Sequence, residues 1–144
     1  MTDAWPFSVE VPIRFRDCDP MRHLNNAVVA TYLEIARTDY YWSRRGIDSL
    51  DAMDFILARV EIDFKSQATF GETLVVRLRP SSVGTSSFVL DYEVREARTQ
   101  RPVAAAKTVQ VCYDYASGRK TPVPATLRAA LIADGATLRE APAA

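Results

Sequence analysis

From Val9 onward the apolar residues Val9, Val11, Ile13 and Phe15 alternate with Glu10, Pro12, Arg14 and Arg16. That is the period of a half-buried strand, and Pro12, which has no N–H to donate, puts it at a sheet edge or beside a bulge. The period lengthens after Asn26. Val29, Leu33, Ala36 and Tyr40 recur at helical spacing, predicting one long helix that starts at Asn25 or Asn26 as cap and stops at Gly46, after Arg44 and Arg45. Its roughly twenty residues would span ~30 Å. Ala27, Ala30, Ile35 and Trp42 carry apolar surface further round the cylinder, leaving a narrow polar stripe near Glu34, Thr38 and Arg45. Such a helix is expected to be wrapped on several sides.

The two-residue period then returns four times. Ile56, Ala58, Val60, Ile62 and Phe64 alternate with Leu57, Arg59, Glu61, Asp63 and Lys65; Leu74, Val76 and Leu78 follow Gly71-Glu72; Phe88, Leu90, Tyr92 and Val94 follow a turn over residues 80–84. In the last run Val103, Ala105, Val109, Val111 and Tyr113 share a face with Lys107. Short connectors between long strands predict an antiparallel meander. Strands of nine or ten residues would span ~33 Å, the length of the helix. The expected fold is α+β: a curved antiparallel sheet of about five strands around one long central helix, in one domain over residues 1–144 with its core at about 8–130. Pro122 and Pro124 close the strand region, residues 125–133 can form a short helix, and residues 134–144 read as a loose tail.

A chain of 144 residues can bury such a core without metal or disulfide staples. Lysine plus arginine balances aspartate plus glutamate at 18 each, so no net field favours nucleic acid or an anionic membrane. Cys18 and Cys112 form no CxxC pair and accompany a single histidine, which argues against structural zinc and a disulfide framework. No apolar run approaches the ~18 residues of a membrane span, and the N-terminus lacks a signal pattern. The expected setting is soluble and cytoplasmic.

Chemistry concentrates in Asp17-Cys18-Asp19-Pro20-Met21-Arg22-His23-Leu24-Asn25-Asn26, between the first strand and the helix. A carboxylate beside a helix start can handle water or a proton while unpaired N–H groups hold an oxyanion. Asp19 reads equally as that group or as a turn aspartate. The motifs Phe15-Arg16-Asp17-Cys18-Asp19-Pro20, His23-Leu24-Asn25-Asn26, Tyr32-Leu33-Glu34-Ile35-Ala36-Arg37 and Val60-Glu61-Ile62-Asp63-Phe64-Lys65 occur in that order. Their sequence and spacing resemble the hotdog-fold acyl-CoA thioesterases of the 4-hydroxybenzoyl-CoA thioesterase type.

The resemblance implies Asp19 as the catalytic carboxylate, acting as general base or nucleophile. His23, Leu24, Asn25, Asn26 and Ala27 would provide oxyanion or substrate-positioning groups, and Asp17, Glu34 and Arg37 would support the site. It implies a coenzyme A thioester as substrate, no metal or organic cofactor, and a homodimer or homotetramer paired through a first-strand or last-strand edge. The basic cluster of the hydroxybenzoyl branch is replaced here by Gly84-Thr85-Ser86-Ser87, so either the phosphate grip comes from elsewhere or the carrier is not coenzyme A; Arg59, Lys65, Arg119 and Lys120 read equally as candidate phosphate contacts and as a solvated sheet face. Arg22 stands where relatives often carry glycine. Two other readings stay open: a non-catalytic acyl-thioester-binding module, and an acyl-CoA hydratase or dehydratase using His23.

Overall fold

A computed structural model describes residues 5–47 and 49–139. The chain runs β1 (Phe7–Pro12), α1 (Asn26–Arg45), β2 (Phe55–Phe64), β3 (Thr73–Val83), β4 (Ser87–Glu96), β5 (Pro102–Asp114), β6 (Arg119–Lys120), α2 (Ala125–Ala133) and β7 (Thr137–Leu138). The five long strands form the expected hotdog arrangement, ordered β1-β3-β4-β5-β2 around α1. Helix α1 begins where the Asn25 carbonyl side chain accepts from the Ala27 N–H, 2.9 Å away, and ends at Gly46 with φ of 68°. A glycine meets that left-handed turn without a Cβ clash.

The meander holds only for β3, β4 and β5. β2 pairs with β5 rather than β3, so β2 and β1 are the two edges and the last long strand lies inside the sheet. Of the two pairing edges predicted, the first-strand edge exists and the last-strand edge does not. The connection over residues 65–72 must therefore cross the end of the sheet. Three strand spacings make that crossing ~14 Å.

The strand faces also differ from a simple alternation. A register shift between Leu57 and Arg59 in the β2–β5 pairing sets Leu57 opposite Gln110 and Val60 opposite Thr108. The bulge moves Leu57 onto the face of Val60, Ile62 and Phe64, where alternation alone placed Ile56 and Ala58. On β5 the helix-facing residues are Ala104, Ala106, Thr108, Gln110 and Cys112, of which Thr108, Gln110 and Cys112 are almost inaccessible. The more apolar set Val109, Val111 and Tyr113 faces the other way and stays half-exposed. Strand β1 stops at Pro12, and a 3-10 turn over Phe15–Asp17 throws Phe15 out to 78% exposure, edge-on to Phe70. β3 continues through Pro80 to Val83, with a register shift between Pro80 and Ser82 where a turn was expected.

Leu33, Ala36 and Tyr40 of α1 pack with Leu74, Val76, Leu78 and Leu90 in the core. The expected all-round wrapping does not occur within one chain: Ala27, Ala30 and Ile35 are exposed, and on the inner face of β2 Val60 and Phe64 are 40% and 48% exposed. Residues 134–139 are docked rather than loose. Asp134 accepts from Tyr40 Oη and Arg44 Nε, β7 pairs in parallel with Ser82–Val83, and Arg139 N–H donates to the Val83 carbonyl. The rest of the predicted tail, residues 140–144, lies outside the described residues.

Candidate active site

The loop between β1 and α1 is held at both ends by its own backbone. Asp19 N–H donates to the His23 carbonyl (2.8 Å), Arg22 N–H to the Asp19 carbonyl (2.9 Å) and Asn25 N–H to the Asp17 carbonyl (2.9 Å). Arg22 takes φ of 68°, the conformation a glycine would adopt at little cost. The crossing segment locks on from outside: Leu24 N–H donates to Ala68 O at 2.7 Å, and His23 bridges to Thr69. Arg101 in turn holds that segment, donating to both carboxylate oxygens of Glu72, to Ser66 Oγ and to the Gln67 carbonyl.

The two aspartates of the loop have different surroundings. Asp17 is 4% exposed and accepts from Arg14 Nε and Nη2 at 3.0 and 2.9 Å and from Tyr32 Oη at 2.6 Å. The hydrogen bond from Arg14 leads in holding its carboxyl down to about 2, with Tyr32 adding to it. Burial and the Asp17 charge push the Tyr32 hydroxyl well above its ordinary value, so Tyr32 stays a donor. Asp19 has Oδ1 occupied by Met21 N–H (2.9 Å) and His23 N–H (3.2 Å), and Oδ2 has no partner among the described residues. Its carboxylate is thus oriented through one oxygen with the other left available.

The helix start is narrower as a donor set than the sequence implied. Leu24, Asn25 and Ala27 N–H groups are already taken, by Ala68 O, Asp17 O and Asn25 Oδ1. Of the backbone donors from Leu24 to Ala27, only Asn26 N–H has no partner among the described residues, as the first turn of a helix permits. Asn26 shares a cleft of about 470 Å³ with Asp19, His23, Asn25, Lys65 and Gln67. A carboxylate oxygen and a backbone N–H, both free, on one cleft are the two parts an acyl transfer to water needs.

A profile of the Thioesterase-like superfamily matches residues 13–131. The chain belongs to that superfamily. Among solved structures, a thioesterase from Thermus thermophilus in complex with coenzyme A and zinc superposes with a TM-score of 0.82 at 32% identity, covering 92% of this chain and 96% of that one. The 4-hydroxybenzoyl-CoA thioesterase of Pseudomonas sp. strain CBS-3 superposes at 0.77 with 18% identity, over 85% of this chain and 96% of that one, a likeness of fold. A 1,4-dihydroxy-2-naphthoyl-CoA hydrolase from a Synechocystis strain is 30% identical over 82 residues, 57% of this chain and 59% of that protein. The chain spans about half the length of the curated relatives it matches first.

Against this superfamily background, the remaining predicted site residues separate by position. His23 lines the cleft, and its imidazole has no hydrogen-bond partner among the described residues. Lys65 lies beside Asp19 in the cleft, whereas Arg59 is paired with Glu61 on exposed β2. Arg119 and Lys120 pair with Tyr113 and Asp114 at the far end of β5, while Val103 at its near end touches the cleft. Eleven strand residues separate those ends by ~36 Å, so within one chain these two cations are removed from Asp19. Glu34 and Arg37 lie further along α1, 3.9 Å apart, the first exposed and the second buried.

Ser66, Gln67 and Ala68 carry no functional signal in the sequence, yet they line the cleft because the crossing segment passes there. Their one pointer is Glu72 with Arg101, a charge pair able to clamp a long connector. Equally unmarked are Arg128 and Arg139, which reach the 84–87 turn and donate to Gly84 O and to Ser87. Among the described residues no group of three or more His, Cys, Asp or Glu is arranged to hold a metal ion, and no helix is long and apolar enough to cross a membrane.

Proposed function

We propose that the chain hydrolyses an acyl-CoA-type thioester to a free acid and a thiol, with Asp19 as the catalytic carboxylate. The observation that carries this reading is the open Asp19 Oδ2 sharing a cleft with the unpaired Asn26 N–H. The thioester carbonyl oxygen sits against Asn26 N–H, which the positive end of α1 reinforces. Water adds to the carbonyl carbon as Asp19 Oδ2 takes its proton; the tetrahedral oxyanion collapses, the C–S bond breaks, and the proton passes to the departing thiolate. Alternatively Oδ2 itself bonds to the carbonyl carbon, expelling the thiolate, and water then attacks the Asp19 carbonyl carbon of the mixed anhydride, releasing the free acid. Heavy-oxygen water in a single turnover separates these, since only the second route puts the label into Asp19.

Asp17 and Tyr32 hold the loop and take no proton in this scheme, and Lys65 is the cation placed to meet a coenzyme phosphate. No cofactor beyond the coenzyme A portion of the substrate is used. The open face between α1 and β2, together with the β2 edge, supports a homodimer in which a second copy roofs the cleft. The test is thiol release from aliphatic and aromatic acyl-CoAs. Asp19→Asn keeps the Oδ1 acceptor and therefore the loop, yet turnover should fall by about 10²–10⁴-fold. Unchanged release would remove Asp19 from catalysis and leave it closing the loop through its two hydrogen bonds, whereas a wild type that binds acyl-CoA and releases no thiol would be a non-catalytic binding module.

A further inference from the structure

Among the described residues Arg37 has no well-matched counter-ion inside the fold. Its side chain is 6% exposed, its closest carboxylate is the mostly exposed Glu34 at 3.9 Å, and its hydrogen bond to Tyr92 Oη is stretched to 3.5 Å. Tyr92 spends its shorter contact, 2.7 Å, on Thr108. Leaving a buried guanidinium this poorly matched is costly, and a planar fork of donors is matched best by a carboxylate.

The surroundings give such a carboxylate a route in. Arg37, Glu34 and Thr38 form one wall of a cleft of about 460 Å³ whose other side is Leu57, Met53 and Phe55. Asn26, Ala30, Glu34 and Thr38 follow one another at four-residue spacing, so a single stripe of α1 runs from the Asp19 cleft to this one. Phe64 of β2 shares the Asp19 cleft with Asn26 and Leu57 shares this one with Glu34 and Thr38, and Val60 and Ile62 lie between those two on the same face of β2. The trough between is apolar on its β2 side, carries Asn26, Glu34 and Thr38 on its helix side, and holds Arg37 beside Glu34 at its far end. From Asn26 to Arg37 it runs ~16 Å along the helix axis.

We propose that this trough takes the acyl chain of the substrate and that Arg37 binds a carboxylate at the chain's far end, making the preferred substrates long-chain ω-carboxyacyl thioesters. The proposal rests on the hydrolytic reading of Asp19 for the orientation of the chain, and on Arg37 alone for the end group. Arg37 is a specificity residue and touches no reacting atom.

The matched probes are dodecanedioyl-CoA and dodecanoyl-CoA, which differ only in a terminal carboxylate. Wild type should favour the first in kcat/KM by about tenfold or more, the range for a hydrogen-bonded charge pair. Arg37→Met, which preserves volume and removes the charge, should bring the ratio to one or below, while Arg37→Lys should keep part of the preference. A wild-type ratio of one or less, with dodecanoyl-CoA still hydrolysed in an Asp19-dependent way, overturns this inference and leaves the hydrolase reading standing. If wild type hydrolyses neither thioester, titration of free dodecanedioate against dodecanoate by calorimetry decides: tighter diacid binding that Arg37→Met abolishes supports the carboxylate site, and equal binding refutes it.

Discussion

The sheet has two halves that the helix treats differently. Over β1, β3 and β4, α1 and α2 close down on Leu74, Val76, Leu78 and Leu90, each fully inaccessible. Over β5 and β2 the inner face carries Thr108, Gln110 and an exposed row of Leu57, Val60 and Phe64, and the helix side above it is Ala27, Ala30 and Glu34. The first half has the composition of a finished core. The second keeps Thr108 and Gln110 buried but leaves the β2 row exposed, with a buried cation and a Gln110 Oε1 that has no partner among the described residues. Under the proposed hydrolysis, stability and function are drawn from different sides of one helix, with Asp19 at the end of the seam between them.

The contrast can be broken by mutation. Leu90→Ala on the closed side should cost about 2–5 kcal/mol of unfolding free energy in a denaturant titration. Val60→Ala on the open side should cost less than about 1 kcal/mol at high dilution. Equal losses would mean that the two halves are one core. A melting temperature that rises with protein concentration in wild type, and less so in Val60→Ala, would place β2 in an interface between copies.

The loop offers a sharper version of the same test. Asp17→Asn should destabilise by about 1.5–3 kcal/mol, since it removes a buried carboxylate bonded to Arg14 and Tyr32. The sign with pH follows from the direction of the shift. A carboxyl held near 2 when folded and about 3.9 when unfolded adds stability that is complete above roughly pH 4 and is lost as pH falls towards 2. Acid unfolding of Asp17→Asn should show a shallower slope across that window; an unchanged slope would remove Asp17 as the anchor. The smallest effect is expected at Arg22, whose φ of 68° costs a side chain about 1 kcal/mol. Arg22→Gly should raise the denaturant midpoint slightly, and a fall would show that the Arg22 side chain holds the loop.

Much of the fold is legible in the residue pattern alone. Helix α1 has its expected cap at Asn25 and stop at Gly46, because capping chemistry acts within a few residues of the chain. The alternation of β3 and β4 assigns their inner faces correctly for the same local reason. Local pattern fails at β2 and β5. A single inserted residue near Ala58 leaves Val60, Ile62 and Phe64 on the expected face but puts Leu57 there in place of Ile56 and Ala58, and it leaves no mark in composition. On β5 the apolar residues point away from the helix, so a rule that puts the more hydrophobic face inside chooses the wrong one.

The sequence by itself determined where chemistry could reside: two carboxylates, one histidine and a helix start within ten residues, which no folding could separate. Tertiary structure completed the pairing that decides which of these groups remain free. Strand β2 pairs across the sheet with β5, so its exit segment must pass under the start of α1, where Ala68 O takes the Leu24 N–H and Arg14 with Tyr32 takes Asp17. Local bonds occupy Asp19 Oδ1, Asn25 N–H and Ala27 N–H, and only the bonds from Leu24 to Ala68 and from Tyr32 to Asp17 depend on the tertiary fold. Residue spacing cannot encode those two, because each long-range partner removes a donor or an acceptor that local sequence leaves available.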